Sequence, residues 1–158
     1  MALTADRLRD TLTHVLDRVE REGSFRYRLI GTAAALLHGV PIEPGDVDLL
    51  AASRADVDLF ARALRDCHCL TAPVWMPDAR QYYVAFEVDG VKVEASTVEW
   101  PTDSEFMESL GSGPWTHFTD IVVGDKLVPT VALELRLATE VRRGRAEHAE
   151  AIRRWMER

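Results

Sequence analysis

Apolar positions recur along the chain in two alternating rhythms. Leu3, Leu8, Leu12, Val15, Leu16 and Val19 fall near helical spacing and predict an amphipathic helix over residues 3–21. Gly23 and Ser24 stop it. "FRYRLIG" alternates and then turns apolar, which suits a strand ending at Gly31, and "TAAALLHGV" reads as a short apolar helix closed by Gly39. Pro41, Pro44 and Gly45 make a loop. "DVDLLAA" then reads as a strand, and Ser53 with Asp56 has the spacing of a capping box at the head of a helix carrying Leu59, Phe60, Ala63 and Leu64. "QYYVAFEV" and "VKVEAST" alternate on either side of Asp89-Gly90, a strong hairpin signal. Residues 103–110 read as a short helix and 116–123 as a strand; "PTVALELRLATEVRRG" and "RAEHAEAIRRWME" read as two closing helices. The order α, β-α-β-α, β-hairpin, β, α-α predicts one mixed α/β (α+β) domain over residues 1–158. Its core spans about 25–123 and its C-terminal helices about 129–157.

Composition narrows the setting. Apolar residues make up 47% of the chain, no run approaches the ~20 residues of a membrane span, and "MALTADRLRD" lacks the apolar centre of a secretory signal. The expectation is a cytoplasmic protein with no membrane partner. A net charge of −7 argues against broad adhesion to nucleic acid. The C-terminal arginines interleave with glutamates, as a solvated helix face does. Cys67 and Cys69 flank His68 and are too few for a zinc framework, so they read as reduced thiols at a helix end.

The tetrapeptide DVDL occurs at 46–49 and again at 56–59. On a strand, side chains at i and i+2 share a face, roughly 6–7 Å apart at the backbone, so Asp46 and Asp48 project together. Two converging carboxylates suit Mg²⁺, which takes oxygen ligands. In a helix the same spacing diverges, so Asp56 and Asp58 read instead as negative charge near a helix N-terminus. An Asp-x-Asp triplet alone is common, and taken by itself it reads better as turn chemistry after Pro44-Gly45 with Asp48 a solvent-facing strand-edge residue. Its neighbours add weight. Upstream, Gly31 permits close backbone approach, and Thr32 can cap the helix and offer a hydroxyl. Downstream, alternation places Lys92, Glu94 and Ser96 on one strand face, which offers a third carboxylate.

Together, Ile30-Gly31-Thr32, Asp46-Val47-Asp48 and Glu94 resemble the nucleotidyltransferase superfamily, the DNA polymerase β-like fold. There, a hydrophobic residue, Gly and Gly or Ser precede a helix, followed by Asp-x-Asp or Asp-x-Glu and a later lone acid. "LIGTAAALLHGVPIEPGDVDLL" is most like the small bacterial branch: minimal nucleotidyltransferases, lincosamide-modifying enzymes and abortive-infection type toxins. The likeness runs from about Tyr27 to Ser96 and, more faintly, into the tail at Arg136, Arg145 and Glu150. Threonine stands at 32 in place of the usual Gly or Ser, and Arg136 where active small members often carry Lys.

The resemblance implies a mixed central sheet flanked by helices, and Mg²⁺-dependent transfer of a nucleoside monophosphate from a nucleoside triphosphate to a hydroxyl acceptor. Asp46, Asp48 and Glu94 would bind two Mg²⁺ ions roughly 3.5–4 Å apart. Gly31 and Thr32 would grip phosphates, and Lys92, Lys126 or Arg136 would neutralise developing charge. The acceptor is a small molecule, a protein side chain or RNA, and a partner protein or a second copy could close the cleft. Two other readings stand beside it: a catalytically weak regulatory relative, such as a toxin–antitoxin component, and a metal-dependent nuclease. Other residues read as bland: His38 as a local packing or capping residue, and of Tyr82 and Tyr83 one faces the core and the other the cleft.

Overall fold

The computed structural model describes residues 2–100, 102–103, 108 and 118–158. Its elements are α1 (Ala5–Glu22), β1 (Tyr27–Ile30), α2 (Gly31–Leu37), β2 (Val47–Ala51), α3 (Arg54–Ala63), β3 (His68–Met76), β4 (Gln81–Val88), β5 (Val91–Ser96), β6 (Phe118–Val123), β7 (Lys126–Val131), α4 (Leu133–Arg142) and α5 (Ala146–Met156). The strands form one mixed sheet in the order β3-β4-β5-β2-β1-β7-β6. β2 lies at its centre, antiparallel to β1 and parallel to β5.

Local chemistry explains most of these boundaries. Thr4 caps α1 by accepting from the Arg7 amide, and Ser53 caps α3 by accepting from the Asp56 amide. Asp89 and Gly90 both take positive φ, 53° and 78°, which a tight primed hairpin turn between β4 and β5 requires. One face of the sheet, carrying Leu29, Leu49, Val84, Phe86 and Val93, packs in the main core with Leu12, Val15 and Val19 of α1 and Phe60 of α3. A smaller apolar cluster of Ala35, Val40 and Ile152, with Leu133, Leu137 and Trp155 against it, joins α2 to α4 and α5. That junction brings the C-terminal helices to the end of β1 where α2 begins.

Two strands depart from the sequence reading. β3 is an edge strand, largely exposed on both sides, so its "HCLTAPVWM" carries no alternation to read. Cys69 therefore lies in a strand rather than at a helix end, and both cysteines are free thiols. Residues 129–131, read as the start of a helix, belong to β7; the β-branched Val128, Thr130 and Val131 extend the chain, and α4 begins only after Ala132. The strand read over 116–123 is β6 where it is described. The short helix read over 103–110, apart from residues 103 and 108, lies outside the described residues, as does the GSGPW stretch. No helix among the described residues is long and apolar enough to cross a membrane.

Candidate active site

Strand register assembles the acidic cluster. Asp48 is the second residue of β2 and lies opposite Ile30 on one side and Glu94 on the other. Asp46 immediately precedes β2. One carboxylate oxygen from each of Asp46, Asp48 and Glu94 lies within 4.8 Å of the others, and all three residues are half-buried. The first DVDL thus converges. The second does not: Asp56 bonds its own cap, Ser53, and the Arg26 amide, while Asp58 accepts from the Tyr82 hydroxyl.

Gly31 stands against this cluster. Its φ is +75°, and a Cβ there would lie 2.7 Å from Asp48 Oδ2, so both backbone conformation and space demand glycine. Gly31, Ile30, Asp48 and Glu94 line a cavity of about 170 Å³ with Gln81, Tyr83, Ser96, Glu108, Arg136 and Arg143.

Burial first, and then the crowding of like charges, governs the protonation of the cluster. Burial raises the Asp46 carboxyl above its usual range and Glu94 adds to this, while Lys92 and Arg145 oppose. Asp48 is pushed well above the ordinary carboxylate range, first by burial and then by its contact with Glu94 and the charge of Asp46. Burial pushes Glu94 upward too, but hydrogen bonds from Asp48, Lys92 and Tyr83 outweigh it and hold Glu94 low. Without a cation, a proton on Asp48 bonded to Glu94 relieves the repulsion. A divalent ion relieves it better: the donor set is all oxygen, anionic and partly desolvated, which fits Mg²⁺.

The basic residues singled out from sequence are dispersed. Lys92 stays at the site, with Nζ 2.8 Å from Glu94 Oε1. Lys126 does not: it is buried beneath α1, 2.8 Å from Asp17 and 2.9 Å from Glu20. It lines a different cavity, of about 590 Å³, with Phe25, Arg26 and Tyr27. The sequence beyond Gly124 reads as a loop and then a helix rather than as β7, so it gives no direction for the Lys126 side chain. Arg136 reaches the site but is enclosed, its Nη1 3.0 Å from Glu108 Oε1 and its Nη2 bonded to Glu140. Thr32 occupies the first turn of α2 without capping it; the N-cap is Ile30, with no side-chain bond. His38 Nε2 lies 2.8 Å from the Val131 carbonyl, a structural role. Glu150 pairs with Arg153 and Arg154 on the surface of α5.

Sequence reasoning missed Glu108 and Arg143. Glu108 falls in the stretch read as a short helix, where nothing marks it as a site residue, and Arg143 is one of three arginines around Gly144 that nothing in the sequence distinguishes. Tyr83 was half-seen: of the tyrosine pair, Tyr82 packs on the core and Tyr83 donates its hydroxyl to Glu94.

Neither the models of known families nor the curated proteins match this chain. Among solved structures, it superposes on a crystal structure from Thermotoga maritima described as "a putative nucleotidyltransferase", with a TM-score of 0.64 over 92% of this chain and 90% of that one. The chain has a nucleotidyltransferase-like fold. At 19% identity the likeness is one of backbone architecture, and the chemistry is argued from the side chains of this chain alone.

Proposed function

We propose that this protein is a Mg²⁺-dependent nucleotidyltransferase, moving a nucleoside monophosphate from a nucleoside triphosphate onto a hydroxyl acceptor. The observation that carries this reading is the meeting of Asp46, Asp48 and Glu94 within 4.8 Å, beside the strand-to-helix turn at Gly31. In the reaction the acceptor oxygen attacks the α-phosphorus, the bond from that phosphorus to the β-phosphate bridging oxygen breaks, and pyrophosphate leaves with the electron pair. The acceptor's proton passes to a carboxylate oxygen of the cluster. Bound at the three carboxylates, Mg²⁺ supplies Lewis acidity to the phosphate and to the acceptor hydroxyl. Lys92 and Tyr83 fix the Glu94 carboxylate through their bonds to it. The missing Cβ of Gly31 makes room for the Asp48 carboxylate against the backbone at the head of α2.

The acceptor is a small molecule, a protein hydroxyl or RNA. The net charge of −7 weighs against RNA. Incubation with Mg²⁺ and each of the four ribonucleoside triphosphates, beside an Asp48→Ala control, tests the reading, with mass spectrometry of the protein to detect self-modification. Pyrophosphate release that the control abolishes supports it. Triphosphate binding with no release points to a regulatory module instead, and nucleic-acid cleavage without triphosphate points to a nuclease.

A further inference from the structure

The acidic cluster lies at the Ile30 end of β1, and the larger cavity of about 590 Å³ opens at its Tyr27 end, roughly 10 Å away along the strand. Among the described residues none lines both cavities. β1 and β7 pair at Leu29 with Thr130, and the cavity lies on the Tyr27 side of that bridge. Its walls are mostly apolar: Leu16 and Val19 of α1, Phe25 and Tyr27, and Leu127 and Pro129 of β7. Leu127 forms an exposed rim, 63% open to solvent. The volume falls within the range of about 300–1,000 Å³ that small-molecule sites occupy.

The charged residues of the lining are already engaged. Lys126 Nζ lies 2.8 Å from Asp17 and 2.9 Å from Glu20, which also lines the cavity. Arg26 faces Asp56 at 4.0 Å. Arg28 donates to the Tyr27 carbonyl at 2.8 Å, and its guanidinium lies 4.0 Å from the centre of the Phe118 ring. A charged ligand would have to draw one of these groups from its partner. The Tyr27 hydroxyl differs. Tyr27 is only 8% exposed, and its hydroxyl has no hydrogen-bond partner among the described residues. Burial first, and then the charges of Glu20 and Asp120, keep that hydroxyl protonated and able to donate. Native folds leave few buried polar groups without a partner. The Tyr27 ring stacks on Phe25 at 5.0 Å and 12°, so the wall beside the hydroxyl is a flat aromatic surface.

Independently of the transferase reading, we infer that this cavity binds an uncharged small molecule with a flat apolar body and an oxygen that accepts a hydrogen bond from the Tyr27 hydroxyl. The body packs against the aromatic wall and covers Leu127 at the rim. The oxygen supplies the partner that the fold itself does not give Tyr27.

Titration of the isotope-labelled full chain with benzamide, read by backbone amide chemical shifts, tests this. Benzamide is flat and uncharged and carries a carbonyl; benzoate, the comparison ligand, has the same shape and a negative charge. Wild type is expected to bind benzamide saturably in the millimolar range, as a ligand of so few atoms does, with the largest shifts at residues 25–28 and 126–128. Benzoate should bind about fivefold more weakly or not at all, since no unengaged cation receives it. Tyr27→Phe removes the hydroxyl alone and should weaken benzamide about three- to tenfold, the range of one hydrogen bond. Leu127→Gln should weaken it about threefold through lost apolar contact. Val141→Gln, at a similarly exposed apolar position on α4, should not change it. Thermal melting of each variant checks folding; should Tyr27→Phe unfold, Leu127→Gln and benzoate decide by the same criteria. Absence of saturable shifts at residues 25–28 and 126–128, the mark of a cleft that holds solvent alone, overturns the proposal. So does Tyr27→Phe binding as wild type does, benzoate binding as tightly as benzamide, or equal weakening by Val141→Gln. None of these outcomes bears on pyrophosphate release, so this site and the transferase reading fail separately.

Discussion

Adding one methyl group at Gly31 tests how the backbone and the carboxylates constrain each other. In Gly31→Ala the new Cβ sits 2.7 Å from Asp48 Oδ2 and 3.5 Å from Asp48 Cβ and Cγ, at a φ of +75°. Holding a non-glycine residue in the left-handed region costs about 1–2 kcal/mol. Pushing the Asp48 carboxylate off its preferred rotamer adds about 1 kcal/mol. Together these predict a loss of about 2–3 kcal/mol, or a fall in Tm of roughly 4–12 °C for a chain of this size. Because the displaced group is a proposed ligand, Mg²⁺ affinity should fall about tenfold as well, the scale of a lost supporting contact at a metal site. Gly45→Ala is the control: nothing lies within 4 Å of a Cβ there, and its φ is not in the left-handed region. It should change stability by less than about 0.5 kcal/mol. Differential scanning calorimetry and Mg²⁺ titration of both variants read the two effects. If Gly31→Ala melts and binds Mg²⁺ as Gly45→Ala does, the reasoning about Gly31 and Asp48 is wrong.

Three further outcomes follow from the charges. Asp48's raised carboxyl means that its protonated form favours the fold; that stability is complete below the unfolded value of 3.8 and drains away as pH rises through the higher folded value, so Asp48→Asn should melt above wild type at pH 8 without metal, match it near pH 3.5, and lose Mg²⁺ binding. Glu108, pushed up to about 7 by burial despite Arg136, should contribute on the order of 3 kcal/mol that is present below pH 4.5 and gone above pH 7; Glu108→Gln should flatten the Tm-against-pH curve across that interval. Lys126→Ala should cost about 1 kcal/mol by denaturant titration, through its lost pairs with Asp17 and Glu20, and leave Mg²⁺ affinity unchanged.

The sequence exposed the acidic cluster because its geometry is set by a period of two. Asp46 and Asp48 share a strand face, Glu94 alternates with Val91, Val93 and Ala95, and the helical spacing of the second DVDL separates its acids by the same logic. The α1 and α3 caps and the Asp89-Gly90 hairpin were legible for a similar reason, since each rests on residues close in sequence. Long-range partners were not. That β2 lies beside β5 in register, bringing Glu94 to Asp48, is decided by tertiary packing. Arg136 was identified as basic, but its enclosure by Glu108 and Glu140 depends on residues 28 positions before it and one turn after it. The direction of Lys126 is not legible in the sequence, because the leucines and glutamates just beyond β7 favour a helix and mask the strand. β3, exposed on both faces, left no pattern for apolar periodicity to show.

The account depends most on a divalent cation held jointly by two β2-side aspartates and the β5 glutamate. Crystals of the protein soaked in Mn²⁺, a spectroscopically visible substitute for Mg²⁺, would show this in the anomalous difference map. The account predicts a peak bonded to carboxylate oxygens of Asp46, Asp48 and Glu94, absent from Asp48→Ala crystals. A map with no peak there, or with manganese bound without Glu94, would contradict it.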